Sequence, residues 1–254
     1  MKILLSPAKS LNTKDELPTT KSSQPAFLKE AESLNASLSK KSKKAIGKLM
    51  SISDTLAALN YERYQQFDTP FTSDNARPAM YMFDGDVYTG LDAYSIAQDK
   101  IDLIQDRLRI LSGMYGILKP LDLMQPYRLE MGTQLKKGRA NNLYEFWGDR
   151  LTDFLNAEME EGELCINLAS NEYFKAINVK KLNSPIVTPI FKDFKNGKLK
   201  VISFFAKKAR GQMVRYIIDS KAESIEDLKG FDYDNYRFSP TESNLEKNEL
   251  VFTR

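Results

Sequence analysis

IVTPIFKDFKNGKLKVISFF, residues 186–205, is the stretch that decides the fold class. Residues 186–194 and 198–205 are both strand-like in composition. Between them lies Asn196-Gly197, the dipeptide that favours a type I′ hairpin turn. The sequence therefore predicts an antiparallel pair of strands at this point of the chain.

Apolar residues on both sides of this hairpin predict helices and further strands. After it, Ala209, Met213 and Ile217 recur at helical spacing and predict a helix over residues 206–220. Before it, short apolar runs predict strands at residues 2–5, 79–83 and 164–168. Helical spacing predicts helices within residues 25–64, 99–111 and 143–155.

Nothing in the 254 residues divides the chain into separate parts, since it has no internal repeat, low-complexity segment or evident linker. A chain of this length buries about 70–75% of its unfolded surface without needing a disulfide or a metal. We therefore predict one domain over residues 1–254 of mixed α/β class. Helices should surround a mixed sheet that contains at least one antiparallel hairpin.

Composition excludes several kinds of site. The chain has no histidine, which excludes a Ser-His-Asp triad, a Cys-His pair and any imidazole metal ligand. Its single cysteine, Cys165, excludes a structural cysteine zinc site, a redox pair and an intrachain disulfide. Cys165 lies in an apolar run and is expected to be inert core. We predict no cofactor and no metal site.

The first residues do not resemble a targeting segment. Only Ile3, Leu4 and Leu5 precede the interruption at Ser6-Pro7, which is too short for a signal peptide. No run approaches the ~20 apolar residues of a membrane span, and the mean hydropathy is −0.45. A single cysteine also fits a reducing compartment. We expect a cytoplasmic protein without a membrane partner.

Positive charge is concentrated in two segments. The whole chain carries only +3, yet residues 1–50 hold ten lysines against four acids and residues 191–220 hold eight bases against two acids. Such segments favour a surface for phosphates or another polyanion. For the lysine run at residues 40–44, a solvated helix face is favoured.

Three cations open the last predicted helix, in Ala206-Lys207-Lys208-Ala209-Arg210-Gly211. Cations in a first helical turn oppose the helix dipole, at a cost of about 0.3–1 kcal/mol each. Lys208 and Arg215 then share one helix face. Contact with phosphate or nucleic acid would explain this arrangement, and so would pairing with carboxylates inside the protein.

Two glycines three residues apart mark a second candidate, in Leu111-Ser112-Gly113-Met114-Tyr115-Gly116-Ile117-Leu118-Lys119-Pro120. They fit a tight hairpin that exposes backbone N–H groups, as in the helix-hairpin-helix modules that bind duplex phosphates. A helix that ends at a glycine and is followed by a proline gives much the same pattern.

Three further motifs place polar side chains together. Arg128 and Glu130 lie on one side of an extended segment, either as a buried ion pair or as a phosphate-facing arginine with its orienting acid. Residues 167–175 predict a strand that turns into a helix, a junction that suits anions but also joins many α/β units. Asp84 and Asp86 offer oxygen ligands to a cation. Their loop lacks the ligand alternation of a calcium loop, so a structural turn is favoured.

A resemblance to a known family spans the chain from about Ile3 to Phe252. The segments that carry it are residues 6–9, 83–91, 111–132, 144–148, 166–175 and 202–211. The most specific is Pro120-Leu121-Asp122-Leu123-Met124-Gln125-Pro126-Tyr127-Arg128-Leu129-Glu130-Met131-Gly132. With these motifs the sequence resembles the YaaA family of peroxide-stress resistance proteins.

The resemblance implies a bacterial cytoplasmic protein of the oxidative-stress response, with a single α/β domain, a basic cleft and a helix-hairpin-helix element. It implies sequence-independent binding of double-stranded or branched DNA, a link to limiting iron-mediated damage, and recombination-repair proteins as further partners. The hairpin would fall on residues 112–119, with Gly113, Tyr115, Gly116 and Lys119 at the DNA. The other DNA-binding residues would be Lys9, Arg128, Lys207, Lys208, Arg210 and Arg215.

These observations favour a DNA-binding protein over an enzyme. The alternative is an enzyme that acts on a nucleotide or nucleic-acid phosphate in the same cleft, with a carboxylate or lysine as acid or base. Direct iron storage would have only oxygen ligands and is disfavoured. A buried, perturbed carboxylate beside Lys9 or Arg128 would favour the enzyme, and a wide basic groove would favour DNA binding.

Overall fold

The computed structural model describes all 254 residues and is built around one eight-stranded sheet. The strands are β1 (Lys2–Leu5), β2 (Ser10–Leu11), β3 (Arg77–Pro78), β4 (Phe83–Asp84), β5 (Leu108–Ser112), β6 (Gly116–Leu118), β7 (Leu123–Met124), β8 (Cys165–Leu168), β9 (Ile186–Lys195), β10 (Lys198–Lys200), β11 (Arg237–Phe238) and β12 (Glu249–Thr253). The helices are α1 (Leu28–Leu38), α2 (Lys43–Met50), α3 (Asp54–Gln66), α4 (Ala79–Met82), α5 (Asp86–Leu91), α6 (Ile101–Arg107), α7 (Leu143–Trp147), α8 (Arg150–Glu158), α9 (Asn171–Phe174), α10 (Ser203–Ser220) and α11 (Ile225–Lys229).

Five parallel strands form the centre of the main sheet. Its order is β11-β12-β9-β8-β1-β5-β6, with β10 paired to the far end of β9. Strands β12, β9, β8, β1 and β5 run parallel to one another. Strands β6, β10 and β11 are antiparallel to their neighbours. The predicted mixed α/β class, in a single domain with an antiparallel hairpin, is confirmed.

Strand β1 lies in the middle of this sheet. Ile3 pairs with Leu108 of β5 on one side and with Ile166 of β8 on the other. Ile3, Leu4 and Leu5 are fully buried. Central parallel strands are covered on both faces, which is why this run is uniformly apolar rather than alternating. No helix of the structure is long and apolar enough to cross a membrane.

Two glycines bring helices α5 and α10 into direct backbone contact. A Cβ atom on Gly211 would lie 1.8 Å from the Val87 carbonyl oxygen, and one on Gly90 would lie 2.0 Å from that of Lys208. Such distances are possible only because neither residue has a side chain. The contact fixes the first half of α10, with its cations, against α5.

The predicted helix-hairpin-helix is not confirmed at residues 112–119. The segment is a β-hairpin, because Ser112 ends β5 and pairs with Gly116 at the start of β6. Gly113, Tyr115 and Gly116 are buried, so they have no surface to offer a duplex. Gly116 has a φ of +69°, and a Cβ there would lie 2.8 Å from the Trp147 ring. The two glycines therefore serve close packing of the core.

Several predicted boundaries are corrected by the structure. Residues 79–83 are a helical turn followed by a short strand, and the strand predicted to run to residue 205 stops at Lys200. The helix predicted over residues 99–111 ends at Arg107, where β5 begins. Gly148, with a φ of +53°, divides the helix predicted over residues 143–155 into α7 and α8. The strands predicted at residues 2–5 and 164–168 are confirmed as β1 and β8.

Candidate functional site

The carboxyl ends of the parallel strands meet along one side of the sheet, termed here the carboxyl edge. Along the chain, β1 leads to β5 on one side of it, whereas β8, on its other side, leads away to β9. The winding direction therefore reverses between β1 and β8. Such a topological switch point is where open α/β sheets usually bind ligands.

Two serines join the chain just after β1 and β8. The backbone N–H of Ser170 donates to Ser6 Oγ at 2.8 Å, and the two hydroxyl oxygens are 3.3 Å apart. The Tyr88 hydroxyl donates to the Ser6 carbonyl at 3.1 Å. Because burial raises the pKa of Tyr88 well above its ordinary value, this phenol stays a neutral donor. These bonds hold the loop after β1 against both α5 and β8.

Beside the serines, one carboxylate bridges two cations. Glu130 Oε2 lies 2.8 Å from Lys9 Nζ, and Glu130 Oε1 lies 3.0 Å from Arg128 Nη2. These three residues are termed the switch-point cluster. They border a cavity of only about 10 Å³, which is lined by Pro7, Ala8, Lys9, Tyr127, Arg128, Leu129, Glu130 and Tyr173.

A further cation, Arg63, lies near Arg128 of this cluster. Burial lowers the pKa of Arg63 on α3, and the charge of nearby Arg128 lowers it further. Arg63 forms no ion pair and donates only to Asn60 Oδ1, at 3.2 Å. The Arg128 side chain is 16% exposed, and its Nε is buried without a hydrogen-bond partner. Glu130 therefore leaves Arg128 Nε unpaired, and Arg63 beside Arg128 has no acidic partner.

Glu172 anchors the backbone at Gly132, two residues after Glu130. Its Oε1 accepts from the Gly132 backbone N–H at 2.9 Å, and a Cβ on Gly132 would lie 3.2 Å from the same oxygen. Burial raises the pKa of Tyr173 far above its ordinary value, and the charges of Glu172 and Glu130 add to that shift. Tyr173 is therefore a neutral wall of the cavity.

A second feature of the carboxyl edge is a hairpin termed the finger, residues 193–200. In it, Lys195 faces Lys198 directly and Phe194 faces Leu199. Like charges opposite one another destabilise an antiparallel pair, and neither lysine, nor the exposed Lys200, forms an ion pair in the structure. Phe194 is 67% exposed. The finger therefore presents uncompensated cations and an aromatic ring to solvent.

The base of the finger is firmly attached to the sheet. Asp193 is buried, accepting from the Tyr236 hydroxyl at 2.9 Å and pairing with Arg254 Nε at 2.6 Å. The Arg254 guanidinium also stacks over the Phe205 and Tyr236 rings, 4.6 Å from each centroid. Asp234 bridges Lys208, at 2.9 Å, and Arg254, at 3.5 Å.

Sequence comparison places this chain in a known family. The chain matches the family model described as peroxide stress protein YaaA over residues 1–242. The chain belongs to the YaaA family. A UPF0246 protein of Flavobacterium johnsoniae is 61% identical over the full length of both chains. One of Flavobacterium psychrophilum is 57% identical over the same extent, and one of Hahella chejuensis is 54% identical over this whole chain and 99% of its own. The predicted family is confirmed, which supports a role in peroxide stress.

Most of the cations predicted to bind DNA in this YaaA chain are paired with acids. Lys9 and Arg128 share Glu130, and the remaining pairs are Lys119 with Glu158 at 2.5 Å, Lys208 with Asp234 at 2.9 Å and Arg215 with Asp219 at 2.6 Å. Lys207 is exposed and lies 3.9 Å from Asp86. Arg210 is half-buried without an ion pair, and burial lowers its pKa. The pairing explanation therefore holds for Lys208 and Arg215.

The structure also adds residues that the sequence did not single out. Lys195, Lys198 and Lys200 belong to the basic segment 191–220, but only the fold places them on a projecting hairpin. Arg63 gave no signal, because one arginine within an amphipathic helix is ordinary. The expected burial of Cys165 is confirmed.

Proposed function

We propose that this YaaA-family chain acts in peroxide stress by binding double-stranded or branched DNA without sequence preference, through its sugar-phosphate backbone. The finger carries the proposal. Lys195 and Lys198 repel each other in the free protein, and phosphates would neutralise both. Backbone contacts of this kind position a protein on DNA without reading its sequence.

The surroundings of the finger fit the same partner. Phe194 in the finger and Phe204 at the start of α10, 56% exposed, offer rings on which unpaired bases can stack. Lys207 extends the basic surface, since its only ion pair, with Asp86, is loose. Cations with close internal partners must break those pairs first, so they contribute less. Proteins that repair branched DNA would act on the same DNA structures and are therefore proposed as partners.

The proposal is tested by replacing Lys195, Lys198 and Lys200 with alanine together. Each lost phosphate contact lowers the slope of log affinity against log salt by about 0.9, so the slope should fall by up to about 3. Fluorescence anisotropy with a labelled 30-base-pair duplex, titrated at several salt concentrations, measures this slope.

A matched control removes the same charge elsewhere. Lys40, Lys44 and Lys48 are exposed and form no ion pair, so their triple alanine variant changes net charge equally. We expect its slope to stay near that of the wild type. An unchanged slope in the finger variant, or equal losses in both variants, would contradict DNA binding by the finger.

The aromatic rings give an independent readout. Phe194→Ala removes one exposed ring and no charge, so it should leave the salt slope unchanged. It should weaken binding to a three-way junction with unpaired bases more than binding to a plain duplex. Equal losses on the two substrates would exclude stacking on Phe194.

A further inference from the structure

We propose that the switch point between β1 and β8 binds a small phosphate monoester, whose phosphate group takes the place that the Glu130 carboxylate occupies in this structure. The site is separate from the finger and shares no residue with it. The proposal therefore stands or falls independently of DNA binding by the finger.

The first argument is charge. Lys9 and Arg128 converge on Glu130 from two sides, at 2.8 and 3.0 Å. Arg63 lies close enough to Arg128 for their charges to interact, and it forms no ion pair. Glu130 therefore pairs with two cations, and a third, Arg63, lies near one of them without an acidic partner. A phosphate carries more charge and one more acceptor oxygen than Glu130 offers.

The second argument is an unsatisfied donor. Arg128 Nε is buried without a partner in the protein, and leaving such a group unsatisfied costs free energy. Glu130 reaches only Nη2 of this guanidinium. Arginine binds phosphate through two parallel N–H groups, and a phosphate at this position can use the Nε–H that Glu130 leaves free.

The third argument is position and size. The Ser6 and Ser170 hydroxyls stand at the ends of β1 and β8, where α/β sheets bind ligands. The cavity of about 10 Å³ holds about one water molecule, so a ligand must displace the Glu130 side chain. Lys9 is 62% exposed, so its side chain can leave Glu130 and pair with the incoming phosphate. A terminal phosphate can enter such a narrow site. A phosphodiester within a DNA duplex cannot, because it is flanked by sugars on both sides.

Glu130 is therefore a built-in competitor for the ligand. Glu130→Gln keeps the shape of the side chain and frees both cations. We expect the full-length variant to bind inorganic phosphate and AMP at least tenfold more tightly than the wild type in isothermal titration calorimetry. Adding Lys9→Ala to this variant should remove most of the gain.

The matched control is Asp234→Asn. Asp234 also bridges two cations, Lys208 and Arg254, with similar exposure but away from the switch point. Its phosphate affinity should equal that of the wild type. An equal gain in both variants, or no gain in Glu130→Gln, would overturn the proposal.

Two further measurements keep the outcome unambiguous. Lys9→Ala alone changes an exposed side chain, so the variant should fold normally and bind phosphate several-fold more weakly than the wild type; unchanged affinity overturns the proposal. Comparing AMP with a 5′-phosphorylated oligonucleotide and its unphosphorylated form distinguishes a free nucleotide from a DNA end. The lysine-to-alanine finger variant should keep phosphate binding, so failure of one proposal does not imply failure of the other.

Discussion

The glycine contact between α5 and α10 gives a prediction that can be worked out from distances. In Gly211→Ala, the new Cβ would start 1.8 Å from the Val87 carbonyl oxygen and 2.7 Å from the Leu91 nitrogen. Both neighbours are backbone atoms, so no side chain can rotate away. The helices must separate by about 1 Å or more before the first distance reaches 3.0 Å.

The expected magnitude combines two opposing effects. Overpacking costs about 1–3 kcal/mol, and a rigid backbone neighbour places this site at the upper end. Replacing glycine by alanine within a helix returns about 1 kcal/mol. We therefore expect a net loss of about 2 kcal/mol in the free energy of unfolding, equivalent to about 4–8 °C in melting temperature for a chain of this size.

Urea unfolding followed by circular dichroism measures this loss. The matched control is Gly47→Ala, also within a helix, where the new Cβ would lie 3.4 Å from Ala57 Cβ and 3.5 Å from the Ile52 carbonyl oxygen. Those are ordinary contacts, so we expect a gain of up to about 1 kcal/mol. A Gly211→Ala protein as stable as the wild type would refute the reasoning about the helix contact.

Two further predictions concern buried titratable groups. Burial raises the pKa of Asp122 to about 6, although Ser23 Oγ and the Lys119 N–H both donate to its carboxylate. Because an unfolded aspartate titrates near ~3.9, its protonation stabilises the fold at low pH, and this stabilisation is lost as the pH rises through 6. The free energy of unfolding of the wild type, relative to that of Asp122→Asn, should therefore be about 3 kcal/mol higher at pH 3.5 than at pH 7.5, as measured by urea unfolding. A difference that does not change with pH would contradict this. Burial also raises the pKa of the Cys165 thiol to about 12, so native protein should react with a disulfide reagent at least about a hundredfold more slowly than unfolded protein, and rapid labelling would show the thiol to be accessible.

The hairpin at residues 186–205 was predictable because its signal is local. Asn196 and Gly197 have φ values of +53° and +74°, as a type I′ turn requires, and few other residue pairs adopt them readily. Turn chemistry of this kind depends on two residues and not on the rest of the fold. The strand predicted after the turn was too long, because Phe204 and Phe205 favour strands in isolation yet lie in α10.

Strand β5 was mistaken for the end of a helix for a tertiary reason. Ile101, Ile104, Leu108 and Leu111 step at helical spacing, but the last two belong to a strand that is buried on both faces. Such strands show no alternation. Arg109 added an apparent polar position, although it is fully buried and pairs with Glu158 at 2.7 Å.

The Arg128–Glu130 pair of the switch-point cluster was one of two predicted alternatives, but the place of Lys9 in the cluster was not predictable. Arg128 was predicted on an extended segment with Glu130, whereas Lys9 was named only through the family resemblance. That both bind Glu130 depends on packing residue 9 against residue 130, which no local pattern encodes. For the same reason, counting cations along the chain overestimated the free positive charge, since most of these side chains have distant acidic partners.

The central position of β1 also shapes how this protein reaches its native state. Ile3 is among the first residues synthesised of those described here, yet its strand partners, Leu108 and Ile166, follow much later. Both edges of this strand, with its three consecutive apolar residues, therefore stay unpaired until β5 and β8 have been synthesised. Pairings of such long sequence separation fold slowly, and unprotected strand edges aggregate. The production of soluble protein should accordingly depend on growth temperature and on chaperones that shield this segment.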